Sequence, residues 1–349
     1  MASSHENETG EGPSPPQRPE PPTPAQLPLY GQLSLPNKPT RRALRKRLIS
    51  TLFPCQKAQH QRQQHNAPYY SPSIADRIEA SSAFLGAYTG LNNRQLQDHV
   101  HSIRDRAWAI EPYPSFGLGW FLLPGLSETK SWPDIVLEAK EGKTILDVGS
   151  GLGQELRRLR LDAGLGTKTN LYATDACREL WSVGCDLFLD RDKARPEFLL
   201  ADARLRASSG KYASFGPRGS LEKLRGKVDI ILISGLLEFF NYSDQVAIAE
   251  TVALLSRAGT KVVGRCFGTD HLNERDYKEV GDREFSRFLN SWVSLLGIWN
   301  DAANHTGIKW NVNVETVGLE EWGLGEGDLS WMTVEGPLKG LDFVVVRET

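Results

Sequence analysis

Glycines and an acidic residue in one short stretch have the types and spacing of a nucleotide-binding site. Gly149, Gly151 and Gly153 directly follow the apolar run Ile145–Val148, which contains Asp147. Because glycine has no Cβ, the backbone can turn sharply there and a ligand can approach it closely. The helix that follows offers free N–H groups and the positive end of its dipole. The pattern predicts a strand, a turn and a helix, with a ligand bound at the turn.

Two further acids follow at the positions that a nucleotide cofactor requires. Asp175 ends a second apolar run and lies about 20 residues past Gly153, which is the spacing of a ribose-binding acid. Asp202 follows a third apolar run at 198–201. We therefore predict three acids at one edge of a parallel sheet. The competing interpretation is that they are turn residues at strand ends that happen to be acidic.

The surrounding pattern alternates strands with helices, as in an α/β protein. A fourth strand is predicted at 228–233, a fifth at 261–267 and a long helix at 285–304. Two strands close the chain, at 310–317 and 341–347. The expected fold is a doubly wound, Rossmann-like sheet of seven strands whose last pair is a hairpin.

The first 70 residues differ in composition from the rest of the chain. Ten of the twenty prolines lie between Pro13 and Pro39, so we predict that residues 1–70 are disordered. Within them, residues 38–65 are basic, and 41–53 has the apolar spacing of an amphipathic helix. This helix is either a membrane-surface or targeting element, or a linker that packs on the domain or stays mobile.

Residues 71–140 precede the predicted sheet domain, 141–349, and form a predicted helical cap. Helices are expected at 73–88 and 92–110, followed by a loop rich in aromatic residues and glycine. Such a segment can lie across the ligand edge of the sheet. Trp108 and Tyr113 are therefore candidates for contact with a substrate. The competing interpretation is ordinary packing of the cap on the core.

Composition excludes several classes of protein. A net charge of −2 gives no polycation for nucleic-acid binding. The four cysteines form no C-x-x-C pair, so no structural zinc site is indicated. There is no secretory signal and no apolar run near the ~18 residues that span a bilayer. We expect a soluble, cytoplasmic protein without an integral membrane segment.

Several stretches together resemble one known group of enzymes. The glycine motif has the form D-x-G-x-G-x-G, and Gln154 stands where a dinucleotide fold has its last glycine. Two further segments are Ile-Arg-Asp-Arg-Ala-Trp-Ala-Ile at 103–110 and Phe-Leu-Asp-Arg-Asp-Lys at 188–193. Over about residues 76–349 the chain resembles the class I S-adenosylmethionine (AdoMet) methyltransferases of fungal secondary metabolism. Members O-methylate terpenoid or meroterpenoid intermediates.

The resemblance implies AdoMet as cofactor, a small-molecule substrate and a homodimer. In such enzymes the acid after the second strand faces the ribose, and the acid after the third faces the adenine amino group. The residues expected to bind AdoMet are Asp147, Gly149, Ser150, Gly151, Gly153, Asp175, Ala176, Asp202 and Ala203. Members often carry His and Asp after the fourth strand, where this chain has Glu238-Phe239-Phe240-Asn241.

The expected acceptor is a carboxylate, which is ionised at neutral pH and needs no general base. We therefore predict no catalytic acid or base, and we expect His99, His101, His271 and His305 to be surface or capping residues. Arg265, near the end of the fifth strand, is predicted to hold the substrate carboxylate in two hydrogen bonds. The competing interpretation is a salt bridge to a nearby acid.

Three alternatives to the esterification of a carboxylate stay open. The first is methylation of a hydroxyl or phenol with a general base. The second is a non-catalytic AdoMet-binding partner subunit. The third is a nucleotide-linked oxidoreductase, against which Gln154 argues.

Overall fold

The computed structural model describes residues 67–166, 169–193, 195–204, 220–269, 276–278, 286–332 and 337–349. The basic segment 38–65, with its predicted helix at 41–53, lies outside the described residues. In the described ranges, none of the helices is long and apolar enough to cross a membrane.

Two helices build the cap before the sheet begins. Helix α1 spans Ala75–Thr89 and α2 spans Asn93–Ile110. Helix α2 begins with a capping box, in which the Asn92 side chain accepts from the Gln95 N–H and the Gln95 side chain accepts from the Asn92 N–H. The apolar faces of the two helices meet in one buried cluster with part of helix α5 (Arg178–Leu187). The cap therefore packs on the sheet domain through its own hydrophobic core.

The chain then reaches the sheet through short turns. A four-residue helix at Pro114–Gly117 is followed by 3₁₀ turns at Trp120–Leu122 and Gly125–Glu128. Helix α3 (Trp132–Lys140) leads into the first strand.

The predicted seven-stranded sheet is confirmed. The first five strands are β1 (Ile145–Val148), β2 (Leu171–Asp175), β3 (Glu197–Leu200), β4 (Val228–Ser234) and β5 (Ser256–Thr269). Strands β6 (Asp276–Lys278) and β7 (Ser286–Phe288) form a separate antiparallel pair, which the pattern did not predict. The last strands are β8 (Trp310–Val317) and β9 (Leu338–Arg347). The order in the large sheet is β3-β2-β1-β4-β5-β9-β8, parallel from β3 to β5, with β9 antiparallel to both of its neighbours.

Helices cover both faces of this sheet. Helix α4 (Gln154–Asp162) packs with α3 on one face, in a cluster that includes Ile145 and Ile230. Helices α6 (Tyr242–Leu255) and α7 (Trp292–Thr306) pack on the other, in a cluster that includes Leu146 and Ile231. Successive residues of a strand point to opposite faces, so a strand in this position is apolar at most of its residues. The carboxyl ends of the parallel strands meet at one edge.

Two predicted boundaries were wrong. The helix predicted at 285–304 begins only at Trp292, because the Ser291 side chain caps it by accepting from the Ser294 N–H at 3.2 Å. The side chain of Trp292, the first residue of this helix, is 46% exposed. The predicted cap boundary at residue 70 lies too late, because the rings of Tyr69 and Tyr70 pack against Trp108.

Candidate active site

The glycine turn is fixed to the neighbouring strand by backbone hydrogen bonds. The N–H groups of Gly149 and Ser150 donate to the carbonyl oxygen of Thr174 at 2.9 and 3.1 Å. The Gly151 N–H donates to Asp175 Oδ2 at 2.9 Å. The turn therefore lies where β1 and β2 end, and α4 starts immediately after it.

All three glycines of the turn have left-handed backbone, and the surroundings of Gly151 and Gly153 differ. Gly151 has φ 51°, and a Cβ built there meets nothing within 4 Å. Gly153 has φ 74°, and a Cβ there would lie 2.3 Å from Arg157 Nη1 and 2.4 Å from the Trp181 ring. Gly151 thus faces space that a ligand can use, whereas Gly153 is required by close packing behind the turn.

Asp147 places a buried acid beneath the turn. It is 2% exposed, and its Oδ2 atom has no hydrogen-bond partner among the described residues. Burial raises the pKa of Asp147 well above its usual value, and the neighbouring Glu155 and Asp175 carboxyls raise it further. The buried Ser150 hydroxyl also has no partner within the described part of the chain. Buried polar atoms of this kind usually have a partner, and a ligand at the turn would supply one.

Asp175 ends β2 beside the turn, as the spacing predicts. Its Oδ1 accepts from the Cys177 N–H at 2.7 Å, and its Oδ2 accepts from Gly151. Burial raises the pKa of Asp175, while these backbone hydrogen bonds oppose the rise. The Ala176 N–H also interacts with this carboxylate, which has about four acceptor positions, so Asp175 can still accept a hydrogen bond from a ribose hydroxyl. Ala176, which follows it, is partly exposed at the same edge.

Asp202 lies at the same edge, but its carboxylate is already paired. The backbone N–H and Nε of Arg204 donate to Asp202 Oδ1, each at 2.9 Å, and Nη2 donates to Oδ2 at 2.6 Å. The Arg204 guanidinium also lies 5.2 Å from the Phe240 ring and 3.6 Å from Asp244 Oδ2. Sequence reasoning missed Arg204 and Phe240, which border the partly exposed Ala203.

These residues fit AdoMet. The cofactor carries a positive sulfonium and a positive amino group, and the turn carries buried acids with an unsatisfied carboxylate oxygen. The open face of Gly151 allows close approach to the backbone, and Asp175 supplies acceptors for a ribose. The geometry thus offers a site for a cationic nucleoside.

The two aromatic residues predicted to contact the substrate, Trp108 and Tyr113, lie in different surroundings. Trp108 is 2% exposed, with its ring centroid 4.9 Å from that of Tyr70, so it belongs to the core of the cap. Tyr113 is partly exposed, and its ring lies 5.0 Å from that of Phe239, just after β4. Of the two, Tyr113 lies at the ligand edge.

Arg265 does not present a free guanidinium to a substrate. Its Nε and Nη2 donate to the two carboxylate oxygens of Asp342 at 3.1 and 3.0 Å, and the guanidinium lies 4.6 Å from the Trp322 ring. The register of β5 and β9 pairs these two residues directly. The salt bridge, which was the competing interpretation, is what the structure contains, and the predicted bidentate contact with a substrate carboxylate is not supported.

Glu155 is a buried acid that sequence reasoning missed. It lies in the first turn of α4, is 5% exposed, and both of its carboxylate oxygens accept from the Leu126 N–H at 3.1 and 3.2 Å. Burial raises the pKa of Glu155. An acid in the first turn of a helix is a recognisable signal, and here it ties the segment before α3 to the cofactor turn.

A cavity of about 820 Å³ lies between the cap and α4. Its walls combine apolar side chains of α1, of the loop at 118–124 and of Leu187 and Phe188 with charged side chains. The charged residues are Asp76, Arg77, Glu155, Arg158 and Asp328. Gln154, the first residue of α4, also lines it, and the Oε1 atom of Gln154 is buried without a partner among the described residues. The cavity therefore comes within one residue of the glycine motif.

The described histidines have structural partners away from the turn. His99 Nε2 lies 3.0 Å from the Leu187 carbonyl oxygen, and His101 Nδ1 lies 2.8 Å from the Gln97 carbonyl oxygen. His305 Nδ1 lies 2.6 Å from Glu250 Oε1. His271 lies outside the described residues. Within the described ranges, no group of three His, Cys, Asp or Glu side chains could hold a metal ion.

Comparison with known proteins adds independent evidence. Residues 69–122 match the family model described as the meroterpenoid methyltransferase N-terminal domain. The chain is 29% identical to methyltransferase adrK of Penicillium roqueforti over 249 residues, 70% of this chain and 83% of that protein. It is 30% identical to the asnovolin E/chermesin D methyltransferase nvfJ of Aspergillus novofumigatus over 240 residues, 68% of this chain and 81% of that protein.

Among solved structures, one similar chain is the 1,6-didemethyltoxoflavin N1-methyltransferase of Burkholderia thailandensis with bound S-adenosylhomocysteine. It has 12% identity and a TM-score of 0.43, over 72% of this chain and 90% of that chain. The sequence relatives carry the assignment, since one of them is 30% identical over most of its length. The chain therefore belongs to the meroterpenoid methyltransferase family and is an AdoMet-dependent methyltransferase.

Proposed function

We propose that this enzyme O-methylates a hydrophobic biosynthetic intermediate and that the acceptor is the carboxylate of a terpenoid or meroterpenoid. AdoMet would be held by the glycine turn, with Asp175 on the ribose, Asp202 and Ala203 at the adenine, and Asp147 beneath the turn. When bound, AdoMet supplies an electrophilic methyl group on a sulfonium that leaves as a neutral thioether. The chain itself has to orient an acceptor oxygen towards that methyl group and exclude water.

The observation that carries the carboxylate proposal is the placement of the histidines. His99, His101 and His305 all have structural partners, so none of them is placed as a base. A carboxylate acceptor needs no base, because it is already ionised at neutral pH. The cavity beside Gln154 supports the hydrophobic part of the proposal, since the apolar part of its walls can pack against a ring system.

Methylation of a hydroxyl is the second candidate, and Glu238 is the observation that favours it. This acid follows β4, in the segment where relatives are expected to carry His and Asp, and it is only 6% exposed. A buried carboxylate at the ligand edge is a possible general base.

A matched pair of acceptors distinguishes the two candidates. The purified chain is given AdoMet and either a terpenoid acid or the corresponding primary alcohol, and methylated products are identified by mass spectrometry. If the proposal is correct, the acid is converted to its methyl ester and the alcohol is not methylated. The rate of turnover then shows no titration of an enzyme base between about pH 6 and 9. Methylation of the alcohol, together with loss of turnover in Glu238→Gln, would favour the second candidate. If the purified chain with AdoMet methylates nothing in extracts that contain biosynthetic intermediates, the result would favour a non-catalytic AdoMet-binding subunit.

The location of the cofactor has its own test. Asp175→Ala should abolish calorimetric binding of S-adenosylhomocysteine (SAH) while circular dichroism shows a folded protein. Wild-type affinity in this variant would contradict the assignment. The homodimer and the cytoplasmic location stay predictions, and sedimentation of the full chain would test the first.

A further inference from the structure

Behind the glycine turn lies a buried ion pair that belongs to none of the predicted site residues. Arg157 of α4 and Asp190, just after α5, are 0% and 1% exposed. Arg157 Nε donates to Asp190 Oδ2 at 2.7 Å, and Nη2 donates to Oδ1 at 3.0 Å. The Arg157 guanidinium also lies between two rings, 4.6 Å from Trp181 and 4.8 Å from Phe188. Its position is therefore fixed on every side.

The remaining nitrogen of this guanidinium holds the cofactor turn. Arg157 Nη1 donates to the carbonyl oxygens of Leu152 and Gly153 at 2.9 and 3.2 Å. These are the last two residues of the motif before α4. A Cβ on Gly184 of α5 would lie 2.1 Å from the Leu152 carbonyl oxygen, so the turn is also pressed directly against that helix.

The backbone before Asp190 is strained in a way that places this acid. Leu189 has φ 51°, and it is the one non-glycine residue with positive φ among the described residues. Its side chain is 39% exposed, so its packing does not explain this conformation. Strained backbone persists only where the surroundings fix it, and it clusters at functional sites. Here it directs Asp190 inward to Arg157.

The cap contacts the same carboxylate. The Tyr88 hydroxyl, near the end of α1, donates to Asp190 Oδ2 at 3.2 Å, and its ring packs edge-on against Phe188 at 5.2 Å. Burial and the Asp190 charge raise the pKa of Tyr88 to about 12. The phenol therefore stays protonated and donates at any working pH.

We propose that Asp190, acting through Arg157, is a positioning residue for the AdoMet-binding turn, and that Tyr88 couples that turn to the cap. The proposal rests on the proposed location of AdoMet at the glycine turn. In this proposal the Phe-x-Asp-Arg-Asp-Lys segment positions the glycine turn, and this role does not require contact with the substrate. The placement of α1, which lines the acceptor cavity, then affects how well the turn binds the cofactor.

Tyr88→Phe is the decisive variant, because it deletes one hydroxyl and keeps the ring against Phe188. SAH affinity is measured by calorimetry on the full chain, with AdoMet kinetics in parallel. We expect the Kd of SAH and the KM of AdoMet to rise about five- to tenfold while kcat changes less than about twofold. The control is Tyr70→Phe, since the Tyr70 hydroxyl donates to Asp105 at 3.1 Å in the cap, away from the turn. This control should leave the Kd unchanged.

Asp190→Asn should raise the Kd further, by about a hundredfold, because it leaves the Arg157 charge buried without its counter-charge. Its control is Asp186→Asn, an acid of α5 that pairs with Arg106 and Arg191 at the surface. If Asp190→Asn does not fold, Tyr88→Phe still decides the matter. A Tyr88→Phe enzyme that melts earlier but binds SAH with wild-type affinity would show a purely structural role and overturn the proposal. That result can be distinguished from a wrong location of the cofactor site, because in that case Asp175→Ala would bind SAH with wild-type affinity.

Discussion

Replacing single glycines of the turn by alanine should separate the stability of the protein from its affinity for the cofactor. In Gly153→Ala, the left-handed backbone costs about 1–2 kcal/mol once a Cβ is present. The new methyl group would also lie 2.4 Å from the Trp181 ring and 2.3 Å from Arg157 Nη1. Neither neighbour is free to move, so overpacking adds about 1–3 kcal/mol. The expected loss of unfolding free energy is about 2–5 kcal/mol.

Gly151→Ala should behave in the opposite way. Its Cβ meets no atom within 4 Å, so only the backbone cost of about 1–2 kcal/mol applies to stability. The methyl group would instead occupy the face that the cofactor approaches. We expect the Kd of SAH to rise at least about tenfold, which is about 1.4 kcal/mol of binding free energy.

Urea unfolding and calorimetry measure the two quantities separately. Gly142→Ala is the matched control, because Gly142 has φ 82° and nothing within 4 Å of its Cβ, but lies in the turn before β1. It should lose about as much stability as Gly151→Ala and bind SAH normally. Equal stability losses in Gly151→Ala and Gly153→Ala would refute the packing argument. Unchanged SAH affinity in Gly151→Ala would refute the placement of the ligand.

Three further predictions follow from buried charge and from the cap. Arg265→Met should lower the unfolding free energy by about 3 kcal/mol in denaturant titrations, because it leaves the Asp342 carboxylate unpaired. The double variant with Asp342→Leu should regain part of this free energy, because the unpaired carboxylate has been removed. A chain that starts at Ala67 should keep the melting temperature and turnover of the full chain, whereas one that starts at Ser71 should melt lower, because it lacks two aromatic residues of the cap. Burial raises the pKa of Asp147 well above its usual value, so Asp147 should release a proton when cationic AdoMet binds. The affinity for AdoMet should therefore rise with pH until the raised pKa is passed. Calorimetry in buffers of different ionisation enthalpy would measure the proton release.

The sheet and the acids at one of its edges could be predicted because their signals are local. A strand that is buried on both faces is a nearly continuous apolar run, and β1 and β4 have that pattern apart from Asp147 in β1 and Asp229 and Ser234 in β4. Asp147, Asp175 and Asp202 lie in or just after such runs, so the parallel arrangement alone brings them to one edge. These predictions required no knowledge of how distant segments meet.

The partners of Arg265 and Arg157 could not be derived from the sequence, because each lies far away along the chain. Arg265 and Asp342 are 77 residues apart, and only the register of β5 against β9 makes them neighbours. The Arg157–Asp190 pair depends on the backbone of Leu189, whose positive φ has no sequence signal. An arginine at a ligand edge therefore predicts a substrate contact only when the neighbouring strand presents no acid.

The segments that distinguish this family from other methyltransferases have a structural explanation. Arg104 of the Arg-Asp-x-Ala-Trp segment is 2% exposed and donates from Nη1 to the Ser71 carbonyl oxygen at 2.7 Å. Trp108 lies in the same cap core, while Asp190 of the second segment fixes the glycine turn and accepts from Tyr88 of the cap. The first segment therefore holds the cap together, whereas the second joins the cap to the sheet domain. If the cavity between the cap and α4 holds the acceptor, as proposed, its lining residues determine which acceptor the enzyme takes.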